Sequence, residues 1–258
     1  AAEQGNAMAQ CKLGIMCEEG QGVEQNDAEA ATWYRKSADQ NVPEAQFNLG
    51  IMYEEGRGVE QNDIEATEWY RKAASQGIPA AQFNLGLRYE EGRGIERNNV
   101  RAAEWYQRAA EQGLADAQFN LGTMYYDGQG VEQDYSKAVM WYRNAAGQGD
   151  AEAQFNLGVM YYGGQGIEQD YAKAAMWYRR AAEQGVAAAQ FNLGVMYSEN
   201  QGLERNYAKA AEWFLRAAEQ GYTAAQFNLG LLYEEGEGVE QDHEEAIKWY
   251  RKAAEQGI

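Results

Sequence analysis

The pair Leu-Gly closes at Gly14, Gly50, Gly86, Gly122, Gly158, Gly194 and Gly230, and every interval is 36 residues. A strict period of this length constrains the fold more than any other feature. Each unit is one supersecondary element that cannot bury its apolar face alone, so neighbouring units must stack. The seven copies follow A-Q-F-N-L-G-x-M-Y-x-x-G-x-G-V-E-Q-N/D-x-x-x-A-x-x-W-Y-x-x-A-A-E-Q-G and account for nearly all 258 residues. The expected architecture is all-α: one α-solenoid domain over residues 1–258, built from seven 36-residue helix-loop-helix repeats. Residues 1–5 carry Ala-Ala-Glu-Gln-Gly, the tail of a further repeat, and the same phrase returns at Ala253–Gly257 before Ile258. Neither end carries a distinct polar helix. That leaves two expectations, excision from a longer protein or ends that stack on other chains.

Two helices explain each unit. The first spans about Pro43 to Glu55, where Ala45, Leu49, Met52 and Tyr53 fall in an arc of about 100°. Pro43 and Pro79 sit at helix starts, where a missing N–H does no harm. The helix stops at a position that is glycine six times and Asn200 once, as a left-handed C-cap requires. A second glycine follows two residues later in all seven copies. The second helix follows Asn26, Asn62, Asn98, Asp134, Asp170, Asn206 and Asp242, all preferred N-cap residues. Glu29, Glu65 and Glu245 complete capping boxes in three copies. Ala66, Tyr70 and Ala73 then share a face with Trp69 at its edge. Small residues such as Gly50 and Ala66 let the two helices approach closely.

The phrase A-x-x-x-L-G-x-x-Y-x-x-G-x-G-V, followed by A-x-x-W-Y-x-x-A-A-x-x-G at a period of 36 residues, resembles the Sel-one-like repeat family, relatives of the tetratricopeptide repeats. The resemblance covers about residues 6–257. It implies a right-handed superhelix that scaffolds protein complexes and whose first helices line the concave surface. Bacterial members are often exported or act on host cells, so bacterial cytoplasm, periplasm and secretion are all compatible. One branch of the family bridges the helices of each repeat by a disulfide. This chain lacks those cysteines. The near-identity of the copies fits a bacterial or a consensus-engineered sequence.

Several functions are disfavoured by residue chemistry. The formal net charge is −18, so phosphate backbones and anionic membrane surfaces are poor partners, and no nucleic acid is expected. No apolar run approaches the roughly 20 residues of a membrane span. Cys11 and Cys17 stand where later copies carry aromatic residues, which points to buried thiols; no zinc spacing occurs. The single histidine, His243, lies in the last inter-helix loop at a position held elsewhere by Tyr135, Tyr171 and Tyr207. Carboxylate pairs such as Glu54 and Glu55 recur, whereas catalytic pairs occupy distinct environments. The glycine pairs follow a helix and lack the Lys-Ser/Thr of a phosphate loop. Gly163–Glu168 only superficially matches a calcium-binding nonapeptide. No enzyme, metal or cofactor is expected. Arg71, Lys72, Arg108, Arg179, Arg180, Arg251 and Lys252 lie late in the second helices, where they complement the helix dipole.

The remaining signal lies opposite the core. With Leu49 at 0°, Phe47 falls near 160° and Ile51 near 200°, with Glu54 near 140°. Phe47 recurs as Phe83, Phe119, Phe155, Phe191 and Phe227, giving an apolar stripe along the groove that the resemblance makes concave. Packing between neighbouring first helices and exposure to a partner are both compatible with such a ladder. The Glu54 position is Glu in copies one, two, three and seven, and becomes Tyr126, Tyr162 and Ser198 in copies four to six. An aromatic centre with acidic ends matches the usual hot-spot layout. The expected partner-binding residues are therefore Phe83, Phe119, Tyr126, Phe155, Tyr162 and Phe191, with Glu54, Glu90, Asn120 and Asn156. The expected function is a non-enzymatic adaptor for a protein or peptide segment, apolar or aromatic with some positive charge. The alternative is an architectural spacer that self-associates end to end. Arg88 replaces a core-side methionine, either pairing with a carboxylate at the repeat junction or snorkelling.

Overall fold

A computed structural model describes residues 2–256. The described residues form fourteen α-helices and no strand. They divide into two compact units, residues 1–133 and 134–258, each considered by itself. The first unit holds α1 (Ala7–Glu19), α2 (Asp27–Ala38), α3 (Pro43–Glu55), α4 (Asp63–Ser75), α5 (Pro79–Glu91), α6 (Asn99–Glu111) and α7 (Ala115–Asp127). The second holds α8 (Tyr135–Gly147), α9 (Ala151–Gly163), α10 (Tyr171–Glu183), α11 (Ala187–Glu199), α12 (Tyr207–Glu219), α13 (Thr223–Glu235) and α14 (His243–Glu255). Within each unit every helix packs on the next, the pattern of a helix-hairpin solenoid. Ala1, Gly257 and Ile258 of the terminal tail phrases lie outside the described residues. Residues 2–5 form a turn, and the Ala2 carbonyl accepts from Gln10 Nε2 at 3.1 Å.

Local chemistry sets the helix ends. The first helices stop where Gly20, Gly56, Gly92, Gly128, Gly164, Asn200 and Gly236 adopt the left-handed conformation, Asn200 at φ 59°. Asn26 and Asn62 cap α2 and α4, their side chains accepting from the Glu29 and Glu65 amides. The reciprocal half of the expected capping box does not form. The Asn26 and Asn62 backbone N–H groups donate instead to the Cys17 and Tyr53 carbonyls, folding the loop back on the preceding helix. Glu29 accepts from the Trp33 indole at 3.3 Å. His243 is the first residue of α14, not a loop residue, and is exposed.

Gly50 packs against the Tyr70 ring, where a Cβ would stand 2.7 Å from the ring carbons. The ring consequently reaches zero exposure, as do Tyr34 and Tyr106. Tyr53, expected in the core, is half-buried and accepts from the Arg35 guanidinium of the preceding repeat. Burial of the second-helix tyrosine is what the helical glycine makes possible. The second loop glycine has an inter-repeat role. A Cβ on Gly94 would lie 2.1 Å from the Asp63 carbonyl oxygen of the repeat before it. Cys11 and Cys17 are free buried thiols, and burial raises both pKa values.

Candidate functional site

Glu54, Glu90 and Asn120, expected on the groove face, enter internal networks. In the first unit, the buried hydroxyls of Tyr34, Tyr70 and Tyr106 donate to Glu18 (2.5 Å), Glu54 and Glu90 (2.5 Å). Asn48, Asn84 and Asn120 of the following repeats support the same hydroxyls. Burial, then the neighbouring carboxylate, pushes all three tyrosines far above the ordinary phenol value. Glu54 carries further charge pairs. Arg88, only 2% exposed, places one guanidinium nitrogen 2.7 Å from the Glu54 carboxylate and donates with another to Asp63. Arg93 adds a 3.0 Å bond to Asp63. Pairing at the repeat junction is therefore the fate of Arg88, and its guanidinium holds Asp63 below the usual carboxylate range.

The ladder phenylalanines lie against the second helix of their own repeat. Phe47, Phe83 and Phe155 sit 5.8, 5.6 and 5.9 Å from the Tyr70, Tyr106 and Tyr178 ring centroids. Phe191 packs on Phe214 at 5.8 Å and also on Tyr222, the N-cap of α13, at 5.2 Å. The five rings from Phe47 to Phe191 are half-buried. Phe227 is 47% exposed. Asn120 and Asn156 are half-buried on the same face. In the first unit Phe119 and Tyr126 are also half-buried.

In the second unit, three first helices converge on a cleft of about 510 Å³. Helix α9 contributes Val159 and Tyr162, and α11 contributes Phe191, Asn192, Val195 and Glu199. Asn228 of α13 and Tyr178 of α10 complete the lining. Tyr162 and Phe191 thus line one cleft. Phe155 contacts the Tyr178 ring but is not among the residues lining the cleft. Tyr162 donates to Gln201 Oε1 at 2.5 Å and meets the Tyr171 ring edge-on at 5.2 Å. The cleft has the size and composition of a ligand site, apolar walls with a few convergent polar groups. Among the described residues no cluster of three potential metal ligands is present. No described helix is long and apolar enough to cross a membrane.

Two residue sets escaped the sequence reading. The glutamine of A-Q-F-N is buried in every repeat. Gln46 donates to the Ala38 carbonyl of the preceding repeat at 3.2 Å and accepts from Gln76 of its own at 2.7 Å. Gln82 and Gln190 repeat this pattern. The invariance of this glutamine across all seven copies was the available signal. The late basic residues also have aromatic partners. Lys72 stands 3.6 Å over the Trp69 ring and Arg108 4.4 Å over Trp105. These contacts add cation–π attraction to the dipole effect.

The Sel1 repeat pattern matches residues 7–42, 43–78, 79–114, 115–150, 151–186, 187–222 and 223–258. The fold is similar to that of a protective antigen present in uropathogenic Escherichia coli strains, with a TM-score of 0.96 at 43% identity. That match covers 100% of this chain and 55% of the antigen chain, so this chain spans about half of its relative. It is also similar to a Sel1 repeat protein from Oxalobacter formigenes, at 37% identity and a TM-score of 0.78 over 100% of this chain and 74% of the other. No curated protein matches. Sel1 repeat proteins are generally protein-interaction scaffolds without catalytic activity. Seven consecutive matches from residue 7 to residue 258 establish that the chain belongs to the Sel1 repeat family.

Proposed function

We propose that this chain is an adaptor that binds a protein or peptide segment on the face formed by its first helices. The observation that carries this reading is the cleft of about 510 Å³ between α9, α11 and α13. Its Val159, Phe191 and Val195 walls suit an aliphatic or aromatic side chain, whose burial contributes roughly 1.5–3 kcal/mol. Glu199 at its margin and the net charge of −18 favour a segment that also carries Lys or Arg. Phe83, Phe119, Asn120 and Tyr126 in the first unit, and Phe155 and Asn156 in the second, belong to the same proposal as equivalent first-helix positions. Glu54 and Glu90 belong to this proposal as its acidic flank, although each also serves a buried tyrosine.

Peptides selected for binding from a random library test the reading. The double substitution Val159→Glu and Val195→Glu adds two charges at half-buried wall positions. It is expected to lower affinity for selected peptides at least tenfold while far-UV circular dichroism is preserved. Equal affinity of wild type and double variant would sink the placement. Concentration-dependent association in sedimentation that survives both substitutions would favour the architectural alternative.

A further inference from the structure

The Tyr178 hydroxyl has lost the glutamate acceptor that most of its repeat equivalents keep. A second-helix tyrosine donates to a glutamate 16 residues earlier in four copies: Tyr34 to Glu18, Tyr70 to Glu54, Tyr106 to Glu90, and Tyr250 to Glu234 at 2.6 Å. In the sixth copy both partners are gone. Phe214 replaces the tyrosine, and Ser198 replaces the glutamate and donates to the Val195 carbonyl at 2.9 Å. The fourth and fifth copies keep the tyrosine, as Tyr142 and Tyr178, but carry Tyr126 and Tyr162 at the glutamate position. Tyr178 keeps its hydroxyl, while Tyr162 stands at the glutamate position and gives its own proton to Gln201.

Tyr178 is 2% exposed and lines the α9/α11/α13 cleft. The Asn192 side chain supports its oxygen, as the equivalent asparagines do in the first unit. Among the described residues no group accepts its proton. Phe214 shows that the equivalent pocket of the next repeat accepts a ring without the hydroxyl, so packing does not require it. The hydroxyl therefore has use for an acceptor that arrives from outside.

The cleft also restricts what that acceptor can be. Its lining contains no Lys or Arg and does contain Glu199, so a carboxylate would enter uncompensated. A neutral carbonyl meets no such penalty. Asn228 spends its amide nitrogen on the Ala224 carbonyl at 2.8 Å, which turns its side-chain oxygen into the acceptor it can offer the cleft. One donor and one acceptor beside an apolar wall match a single peptide unit and its side chain.

Building on the groove-binding reading, we infer that Tyr178 is the donor of a main-chain recognition subsite. Its hydroxyl takes a carbonyl of the partner segment, Asn228 receives an N–H, and the adjoining aliphatic or aromatic side chain fills the cleft between Val159, Phe191 and Val195. The subsite reads backbone and shape together and takes an extended apolar segment in preference to an acidic one.

The probe is the blocked peptide acetyl-Ala-Phe-Leu-Lys-amide, titrated at millimolar concentrations and followed by the side-chain amide NMR signals of Asn192 and Asn228. Tyr178→Phe copies the residue that the sixth repeat already accommodates, so the fold is retained. It is expected to raise Kd about tenfold. Tyr162→Glu restores the missing carboxylate, which then claims the Tyr178 proton, and is expected to weaken the peptide comparably. Propylbenzene, which has no acceptor, should bind wild type and Tyr178→Phe equally. A peptide Kd within twofold of wild type in Tyr178→Phe, or a peptide that shifts neither asparagine signal, overturns the inference. Loss of binding in the Val159→Glu, Val195→Glu protein but not in Tyr178→Phe would reject this subsite and leave the groove reading standing. Binding unaffected by all these substitutions would reject both.

Discussion

At the scale of single residues, Arg88 is the clearest departure from the repeat. Its equivalents are Met16, Met52, Met124, Met160, Met196 and Leu232, all apolar. A cation at this buried point is tolerable because Glu54 and Asp63 sit beside it. A buried ion pair is weak evidence for stability, since desolvation offsets much of the Coulomb attraction. Its consequence for pH is clearer. Hydrogen bonding to Arg88 holds the Asp63 pKa below its unfolded value, so the contribution is present above the carboxylate range and lost as pH falls through it. Arg88→Met, which restores the repeat's own residue, is expected to reduce the stability lost between pH 7 and pH 3. Urea unfolding at both pH values checks this. An acid sensitivity equal to that of wild type would remove Arg88 from the account.

At the scale of helices and their junctions, the second loop glycine ties one repeat to the next. Gly22 and Gly94 both have positive φ, 74° and 67°, so either substitution to Ala carries backbone strain on the order of 1–3 kcal/mol. Their surroundings differ. A Cβ on Gly22 would meet only the Met16 methyl at 3.9 Å, whereas one on Gly94 would strike the Asp63 carbonyl at 2.1 Å. Gly94→Ala is therefore expected to destabilise more than Gly22→Ala, and the excess measures the inter-repeat contact. Thermal unfolding of the two variants decides it, and equal losses would refute a role in stacking.

For the whole molecule, the buried tyrosines set the response to alkali. Burial first, with neighbouring carboxylates second where present, raises the pKa of Tyr34, Tyr70, Tyr106 and Tyr178 above the unfolded value near 10. The folded state then holds protons that the unfolded chain releases. Stability is complete below about pH 10 and falls as pH rises above it, by up to about 1.4 kcal/mol per pH unit for each such tyrosine. Tyrosinate absorbance near 295 nm should appear together with loss of helicity. Smooth titration of these tyrosines without unfolding would contradict their burial.

The period of 36 residues, the two helices per unit, the Asn/Asp caps and the glycine stops were all legible in the chain, because each depends on neighbours a few residues away. So was the recurrence of Phe47 opposite Leu49. The capping boxes failed because the Asn62 N–H is taken by the Tyr53 carbonyl, a choice made by the folded loop. The roles of Gln46 and Gly94 were invisible for a related reason: their partners, Ala38 and Asp63, belong to the preceding repeat. For Arg88 the sequence left pairing and snorkelling open, and only the stacked repeats placed Glu54 and Asp63 beside it. Glu54 reads in sequence as a free acidic face, yet stacking turns it into the acceptor for Tyr70 and Arg88. Sequence alone determined which residues recur and which local structure each unit adopts. Tertiary structure decided which recurring polar groups satisfy one another, and that Tyr178, whose repeat has no glutamate to take its proton, lines a cleft, because hydrogen bonds within and between repeats depend on geometry that appears only when the helices pack.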